Sequence, residues 1–202
     1  MNRQTADNIT SDAELVRRAQ GGDAQAFAEL VSRYQDRVFN TCYRLCHNHS
    51  DALDLTQTTF LKALEALPRF EARSSFYTWL FRIAVNAAFS ERRARLRRPT
   101  VSLDDPGPGG DPRASTAAAS DDAAEVISRR ETYSQIEVAL DSLEPDFRVA
   151  VVLKDIENMD YATIAEILEV PVGTIKSRIH RGRLMLRELL TKERTKLDSQ
   201  SA

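Results

Sequence analysis

Residues 99–120 are the stretch that most limits how this chain can fold. Pro, Gly, Asp, Ser and Ala dominate it, and residues 106–110 read PGPGG. Such composition sustains neither a helix nor a strand and behaves as a linker. On both sides of it the apolar residues recur at helical spacing, with no convincing period-two segment. The expected fold is therefore all-α: two small helical domains joined by a flexible acidic linker. The expected boundaries are a disordered tail at 1–10, a first domain at 11–98, the linker at 99–127 and a second domain at 128–197. Extended, the roughly 30 residues from Pro99 to Arg130 could reach about 100 Å. The glycines are not a phosphate-binding loop, because no strand precedes them and no Lys-Ser/Thr follows.

Helix signals divide each half further. Ser11 and Glu14 have capping-box spacing ahead of Leu15, Val16 and Ala19, and Gly21-Gly22 ends that helix. Asp23 can cap a second, whose inward stripe runs Phe27, Leu30, Val31, Tyr34, Val38, Cys42, Leu45. A third starts near Ser50 or Asp51 and is expected to bury Ala52, Leu55, Phe60, Ala63, Leu64 and Leu67 before Pro68 stops it. Ser74 or Ser75 caps a fourth, with Phe76, Trp79, Leu80, Ile83, Ala84 and Ala87 inward and an arginine-rich end before Pro99. After the linker, Ile127, Tyr133, Ile136, Leu140 and Leu143 mark another amphipathic helix. Pro145 opens the next, expected to bury Phe147, Val151, Val152 and Ile156. Asp160 caps a short helix, and the break at Glu169-Val170-Pro171 leads into a long last one, through about Lys192.

Charge follows the same division. The formal net charge is −2, but residues 1–98 hold 15 Lys/Arg against 11 Asp/Glu, whereas 99–127 hold one Arg and six acids. Residues 172–197 hold eight bases and two acids. A polyanion would meet these local basic patches, not the mean. No apolar run approaches the ~20 residues that cross a bilayer, and residues 1–10 lack the apolar centre of a signal peptide. Cytoplasmic location is the expectation, with no membrane insertion. Cys42 and Cys46 sit one helical turn apart, with His47 and His49 close by. That invites a zinc reading, but Cys42 continues an apolar stripe, and core packing is the preferred one.

Asp160 to Leu190 has helix-turn-helix spacing. Ala165 is small where two helices must approach, and Ile175, ten positions on, docks the second on the first. Val172, Ile175 and Ile179 face inward, leaving Thr174, Lys176, Ser177, Arg178, His180 and Arg181 outward, with Arg183 following. Arginine can bond guanine in bidentate fashion, hydroxyls can bond bases or phosphates, and lysine neutralises phosphate. The bland alternative is a helical hairpin with a solvated basic face. Glu169 stands where glycine would ease a left-handed turn.

The first half is more specific. Asp54-Leu-Thr-Gln57-Thr-Thr-Phe60, then Arg69-Phe70, then Ser75-Phe-Tyr-Thr-Trp79-Leu-Phe-Arg82-Ile-Ala-Val-Asn86 resemble the extracytoplasmic-function (group 4) sigma factors, in order and in spacing. Leu143-Glu-Pro, Tyr161-x-x-Ile164-Ala165 and Pro171-Val-Gly-Thr174-Ile-Lys-Ser-Arg178 resemble that family's second domain. The envelope-stress branch is the nearest likeness. The resemblance implies that domain 11–98 is sigma region 2 and domain 128–197 is sigma region 4.

It further implies a division of residues. Asp54, Gln57, Phe60 and Leu61 would dock core RNA polymerase at the clamp of its largest subunit; Thr58 stands where the family has an acid. Arg69, Phe70, Arg73, Tyr77, Trp79, Arg82, Asn86, Arg92 and Arg93 would hold single-stranded −10 DNA, with aromatic faces for unstacked bases and cations for phosphate. Lys154, Thr174, Lys176, Ser177, Arg178, His180, Arg181 and Arg183 would read the duplex −35 element. Other implied partners are the flap of the second-largest polymerase subunit and an anti-sigma factor, free or membrane-bound. The acidic linker would either tether or thread the channel later used by RNA. No HExxH, phosphate loop, GxSxG or plausible triad is present, so no catalytic residue, metal or cofactor is expected. The alternatives are a non-sigma regulator with the same helix-turn-helix, or an enzyme.

Overall fold

The computed structural model describes residues 10–97 and 135–200, with side chains characterised through Lys192. The expected linker 99–127, nearly all of the expected tail 1–10 and the expected start of the second domain at 128–134, with Ile127 and Tyr133 of the expected helix, fall outside the described residues.

Four helices build the first half: α1 (Asp12–Gln20), α2 (Ala24–Cys46), α3 (His49–Ala66) and α4 (Phe76–Arg97), with a 3-10 turn at Leu67–Arg69. Their starts follow from side-chain caps that satisfy otherwise orphaned backbone donors. Ser11 accepts from the Glu14 N–H at 3.3 Å, Asp23 from Gln25 and Ala26, and Ser75 from Thr78 at 3.0 Å. Asn48 is the cap of α3, accepting from the Asp51 N–H, so that helix begins slightly earlier than Ser50. α2 ends at His47, whose left-handed φ of 53° turns the chain directly into α3. Leu15, Leu30, Val38, Cys42, Leu55, Ala63, Leu80, Phe81 and Val85 fill the centre. One expectation fails: Leu64 is 48 % exposed, because it lies beside Leu61 on the outer face of α3.

The second half contains helical residues 135–141 (α5), α6 (Pro145–Val151), α7 (Tyr161–Leu168) and α8 (Val172–Gln200). Between α6 and α7, Val152–Ile156 form a π turn in which the Glu157 N–H bonds the Val152 carbonyl at 3.0 Å. The widened turn rotates the register, leaving Ile156 37 % exposed rather than buried, while Val151 and Val152 stay in the core. Asp160 caps α7 through the Thr163 N–H at 2.8 Å. α7 closes on Glu169 with φ 54°, the left-handed geometry that its sequence position demands of a non-glycine residue. Gly182 is required at the α6–α8 crossing: a Cβ there would stand 2.7 Å from Val151 Cγ2.

The two halves also pack on each other. α7 lies against α4, and α6 and the π turn touch α2. Buried apolar residues from both form one continuous cluster, from Leu15 to Ile179.

Candidate nucleic-acid and polymerase interfaces

α3 exposes one stripe. At about 100° per residue, Asp54, Gln57, Leu61 and Leu64 fall within roughly 80° of one another. All four are exposed, Leu61 at 61 %. Acid, amide and leucine side by side suit docking on another protein. Phe60, placed inward by its spacing but in the docking set by the resemblance, is only 8 % exposed and packs into the core; it supports the stripe from beneath. Leu64 was missed because an apolar residue at helical spacing reads as core; only packing shows that it faces out.

The loop between the 3-10 turn and α4 holds the aromatic group. The rings of Phe70 and Trp79 lie 4.7 Å apart between centroids, and Phe76 meets Trp79 at 5.7 Å. Phe76 is buried, while Phe70 and Trp79 are half-buried, so part of each ring faces out. Ala72 at the tip has φ 54°, a strained conformation for alanine. Two bonds hold the loop base: Gln20 of α1 donates to the Leu67 carbonyl at 3.0 Å and the Phe70 carbonyl at 2.8 Å. Sequence reading did not single out Gln20, since nothing local in its spacing points to residues so far along the chain. Arg69 and Arg73 are exposed, and Arg73 pairs with Glu71 at 2.6 Å.

On α4 the remaining candidates separate. Trp79, Arg82, Asn86 and Arg93 share a sector of about 60° at 100° per residue. Asn86, Arg92 and Arg93 are exposed. Tyr77 points the other way: its hydroxyl accepts from Arg37 at 2.7 Å, and burial pushes its phenol up to about 12. Arg82 is half-buried and pairs with Glu166 of α7 at 3.2 Å.

α8 presents the third surface. Ile175 and Ile179 are buried against α6 and α7, whereas Val172, expected inward beside them, is 39 % exposed at the start of α8; Lys176, Ser177, His180 and Arg181 are exposed on the opposite side. Thr174 is half-buried, with its carbonyl accepting from the Ser177 hydroxyl at 2.8 Å. Arg178 and Arg183 flank this face and are bound to carboxylates: Arg178 to Asp146 of α6, Arg183 to Asp155 at 3.0 Å. Both pairs brace the helix as well as carrying charge to its edge. Lys154 lies apart, its ammonium donating to the Met159 carbonyl at 3.0 Å and sitting 5.1 Å from the Tyr161 ring centroid.

Among the described residues no group of three or more His, Cys, Asp or Glu could hold a metal, and no helix is long and apolar enough to cross a membrane. Cys42 is buried, and that burial pushes its thiol up to about 12; Cys46 is half-buried and shifted the same way. Both are unreactive thiols in this setting.

Comparison with known proteins agrees with this geometry. The Sigma-70 region 2 family model matches residues 30–98, and that of Sigma-70, region 4 matches residues 133–186. The RNA polymerase sigma-H factor of Pseudomonas aeruginosa is 37 % identical over 181 residues, covering 85 % of this chain and 90 % of that one. The ECF RNA polymerase sigma-E factor of Escherichia coli is 38 % identical over 174 residues, covering 86 % and 91 %. Among solved structures, CnrH in complex with the cytosolic domain of CnrY overlays with a TM-score of 0.66 at 26 % identity, covering 90 % of this chain and 97 % of that one. The sigma factor RpoE with the anti-sigma factor NepR, from Bartonella quintana, overlays at 0.63 and 26 %, covering 83 % and 98 %. Relatives spanning both halves, at identities well above thirty per cent, leave one assignment: the chain belongs to the extracytoplasmic-function sigma factors of the sigma-70 family.

Proposed function

We propose that this protein gives core RNA polymerase its promoter choice, with three surfaces performing three tasks. The α3 stripe of Asp54, Gln57, Leu61 and Leu64 docks the polymerase clamp. The Phe70–Trp79 group takes an unstacked base of the −10 element, while Arg69, Arg73, Asn86, Arg92 and Arg93 meet its backbone and edges. The exposed face of α8 enters the major groove at −35, where Lys176, Ser177, His180 and Arg181 are free to reach bases and phosphates. As a sigma factor it is a transcription initiation factor, and the chemistry of polymerisation belongs to the polymerase.

One observation carries this reading beyond a simple duplex-binding regulator. A helix-turn-helix repressor has no use for an exposed acid–amide–leucine stripe on a second domain, next to a strained loop bearing half-buried aromatics. Run-off transcription on genomic templates, with core polymerase and with or without this protein, tests it. New start sites are expected, and their complete absence sinks the proposal.

Control by an anti-sigma factor is part of the same proposal, supported by the CnrH–CnrY and RpoE–NepR likenesses. The working location is then the cytoplasm, where the polymerase is. Co-purification of a partner from membrane-solubilised cells, and loss of run-off activity on adding it back, are the expected results.

A further inference from the structure

The loop that carries Phe70 is fastened by a helix to which the proposed function gives no task. Residues 71–74 enter no backbone–backbone hydrogen bond among the described residues, and Ala72 holds its φ of 54° against the preference of alanine. Such a segment keeps one shape only where something outside it supplies the constraint. Phe70 opens it in extended conformation, with φ −73° and ψ 111°. Its N–H closes the 3-10 turn on the Leu67 carbonyl at 3.0 Å. Its carbonyl, past the end of that turn, accepts from Gln20 at 2.8 Å, and the same amide nitrogen donates to the Leu67 carbonyl at 3.0 Å.

A carboxamide nitrogen carries two N–H groups, and Gln20 directs one to each carbonyl. That fixes the peptide from which the Phe70 ring reaches Trp79. Gln20 is itself held firmly, as the last residue of α1, whose Leu15 and Val16 are buried. The end of α1 is tied to the start of α2: Arg18 donates twice to Asp23, at 2.9 and 2.7 Å, and the Asp23 N–H bonds the Arg18 carbonyl at 3.0 Å. The Gln20 side chain is exposed and fills no part of the core. The domain can fold without it, but the loop then loses its outside anchor. α1 also lies ahead of residues 30–98, the segment matched by the region 2 family model.

We propose that Gln20 is a positioning residue for capture of the −10 base, and that α1 is through it part of the promoter-reading apparatus. The proposal rests on the base-capture role given above to Phe70 and Trp79. Gln20 keeps the loop in the shape that receives a base. Without it the loop samples other shapes, and affinity falls with the fraction that stays competent. The chemistry required at position 20 is specific: two donors, at the reach of a glutamine. Glutamate has the same shape but, ionised, offers only acceptors, and would set a carboxylate against two carbonyl oxygens.

The test uses the full chain assembled with core polymerase. Its probes are single-stranded oligonucleotides spanning the −10 region of a start site found by run-off. One strand is intact, and the others each carry an abasic site at one position. Fluorescence anisotropy gives the affinities. The ratio between the intact strand and the most weakened abasic strand measures base capture. Gln20→Ala should lower that ratio about fivefold, the equivalent of one typical hydrogen bond, and Gln20→Glu about tenfold. Binding of the abasic strand itself should stay within about twofold of wild type, because phosphate contacts do not pass through Phe70.

In a Phe70→Ala background, Gln20→Ala should change binding by less than about twofold, since the ring it positions is gone. Urea midpoints of the free variants, followed at Trp79, should move far less than for a core truncation such as Leu80→Ala. A wild-type ratio in both Gln20 variants overturns the proposal. So does an equal loss on intact and abasic strands, which marks a general weakening of the domain, and so does simple additivity with Phe70→Ala. A wild-type protein that does not distinguish intact from abasic strands overturns the base-capture reading itself, and this proposal with it. Should Gln20→Glu fail to fold, Gln20→Ala decides.

Discussion

The two halves of this protein solve the same problem, holding a DNA-reading element in place, by different means. Region 2 has long helices and a deep apolar centre. Its candidate reader is an irregular loop, braced from outside by Gln20 and met edge-on by Phe76 from within. Region 4 sets the short α6 and α7 against one long helix, α8, and that regular helix is its reader. α8 is fixed by a glycine-tight crossing at Gly182 and by flanking ion pairs from Arg178 and Arg183. The difference matches the target. An unstacked base needs a pocket of aromatic faces, which a helix surface cannot form alone, whereas a major groove accepts a whole helix. A pocket can be built only on a rigid scaffold; a helix needs only to be anchored along one side.

The largest test of this contrast is of the cores. Trp79 is the only tryptophan, so its fluorescence reports unfolding of region 2. Leu80→Ala should cost about 2–5 kcal/mol in urea melts followed at Trp79. Ile164→Ala removes comparable apolar volume from region 4 and should move that signal far less. An equal shift would break the comparison by showing that the halves unfold as one unit.

Next is the crossing at Gly182. Gly182→Ala should destabilise region 4 by about 1–3 kcal/mol through overpacking against Val151. It should weaken −35 duplex binding while leaving −10 melting by the holoenzyme intact, which band shifts and permanganate footprinting would separate.

The readers themselves differ in salt response. Phe70→Ala should cost about 1–3 kcal/mol in binding of single-stranded −10 DNA, with little change in the salt slope. Arg181→Ala should instead lower the magnitude of that slope for duplex binding by about one. Exchange of these two signatures in titrations against salt would reverse the assignment of surfaces.

The smallest expected effect concerns pH. His47 caps α2 at the seam, facing Arg148 and Asp141, with Arg44 nearby. Burial, then the Arg148 charge, lower its imidazole to about 4. Its folded value lies below the unfolded one, so the unfolded chain binds the extra proton first. The stability contributed by neutral His47 is present above pH of about 6.5 and is lost as pH falls toward 4. His47→Gln should flatten that part of the stability–pH curve in thermal melts; an unchanged curve would remove His47 from the account.

Much of this was determined by sequence alone. Periodicity marked where helices run, Ser11, Asp23, Ser75 and Asp160 marked where they begin, and the 99–120 composition divided the chain, because these depend on neighbours a few residues apart. The motifs around Asp54–Asn86 and Pro171–Arg178 pointed to the family for the same reason. Tertiary structure decided what local pattern leaves open. Leu64 faces out although its spacing placed it inward, Phe60 is buried as its spacing placed it although the resemblance gave it a docking role, and Ile156 turns outward on a π turn. Arg178 and Arg183 brace α8, and Gln20 reaches a loop nearly fifty residues ahead. Glu157 meets Arg37 and Thr41 of the other half, a contact no local pattern records. Whether a charged side chain meets solvent, DNA or another part of its own chain depends on contacts between residues more than a hundred positions apart, and helical spacing carries no record of them.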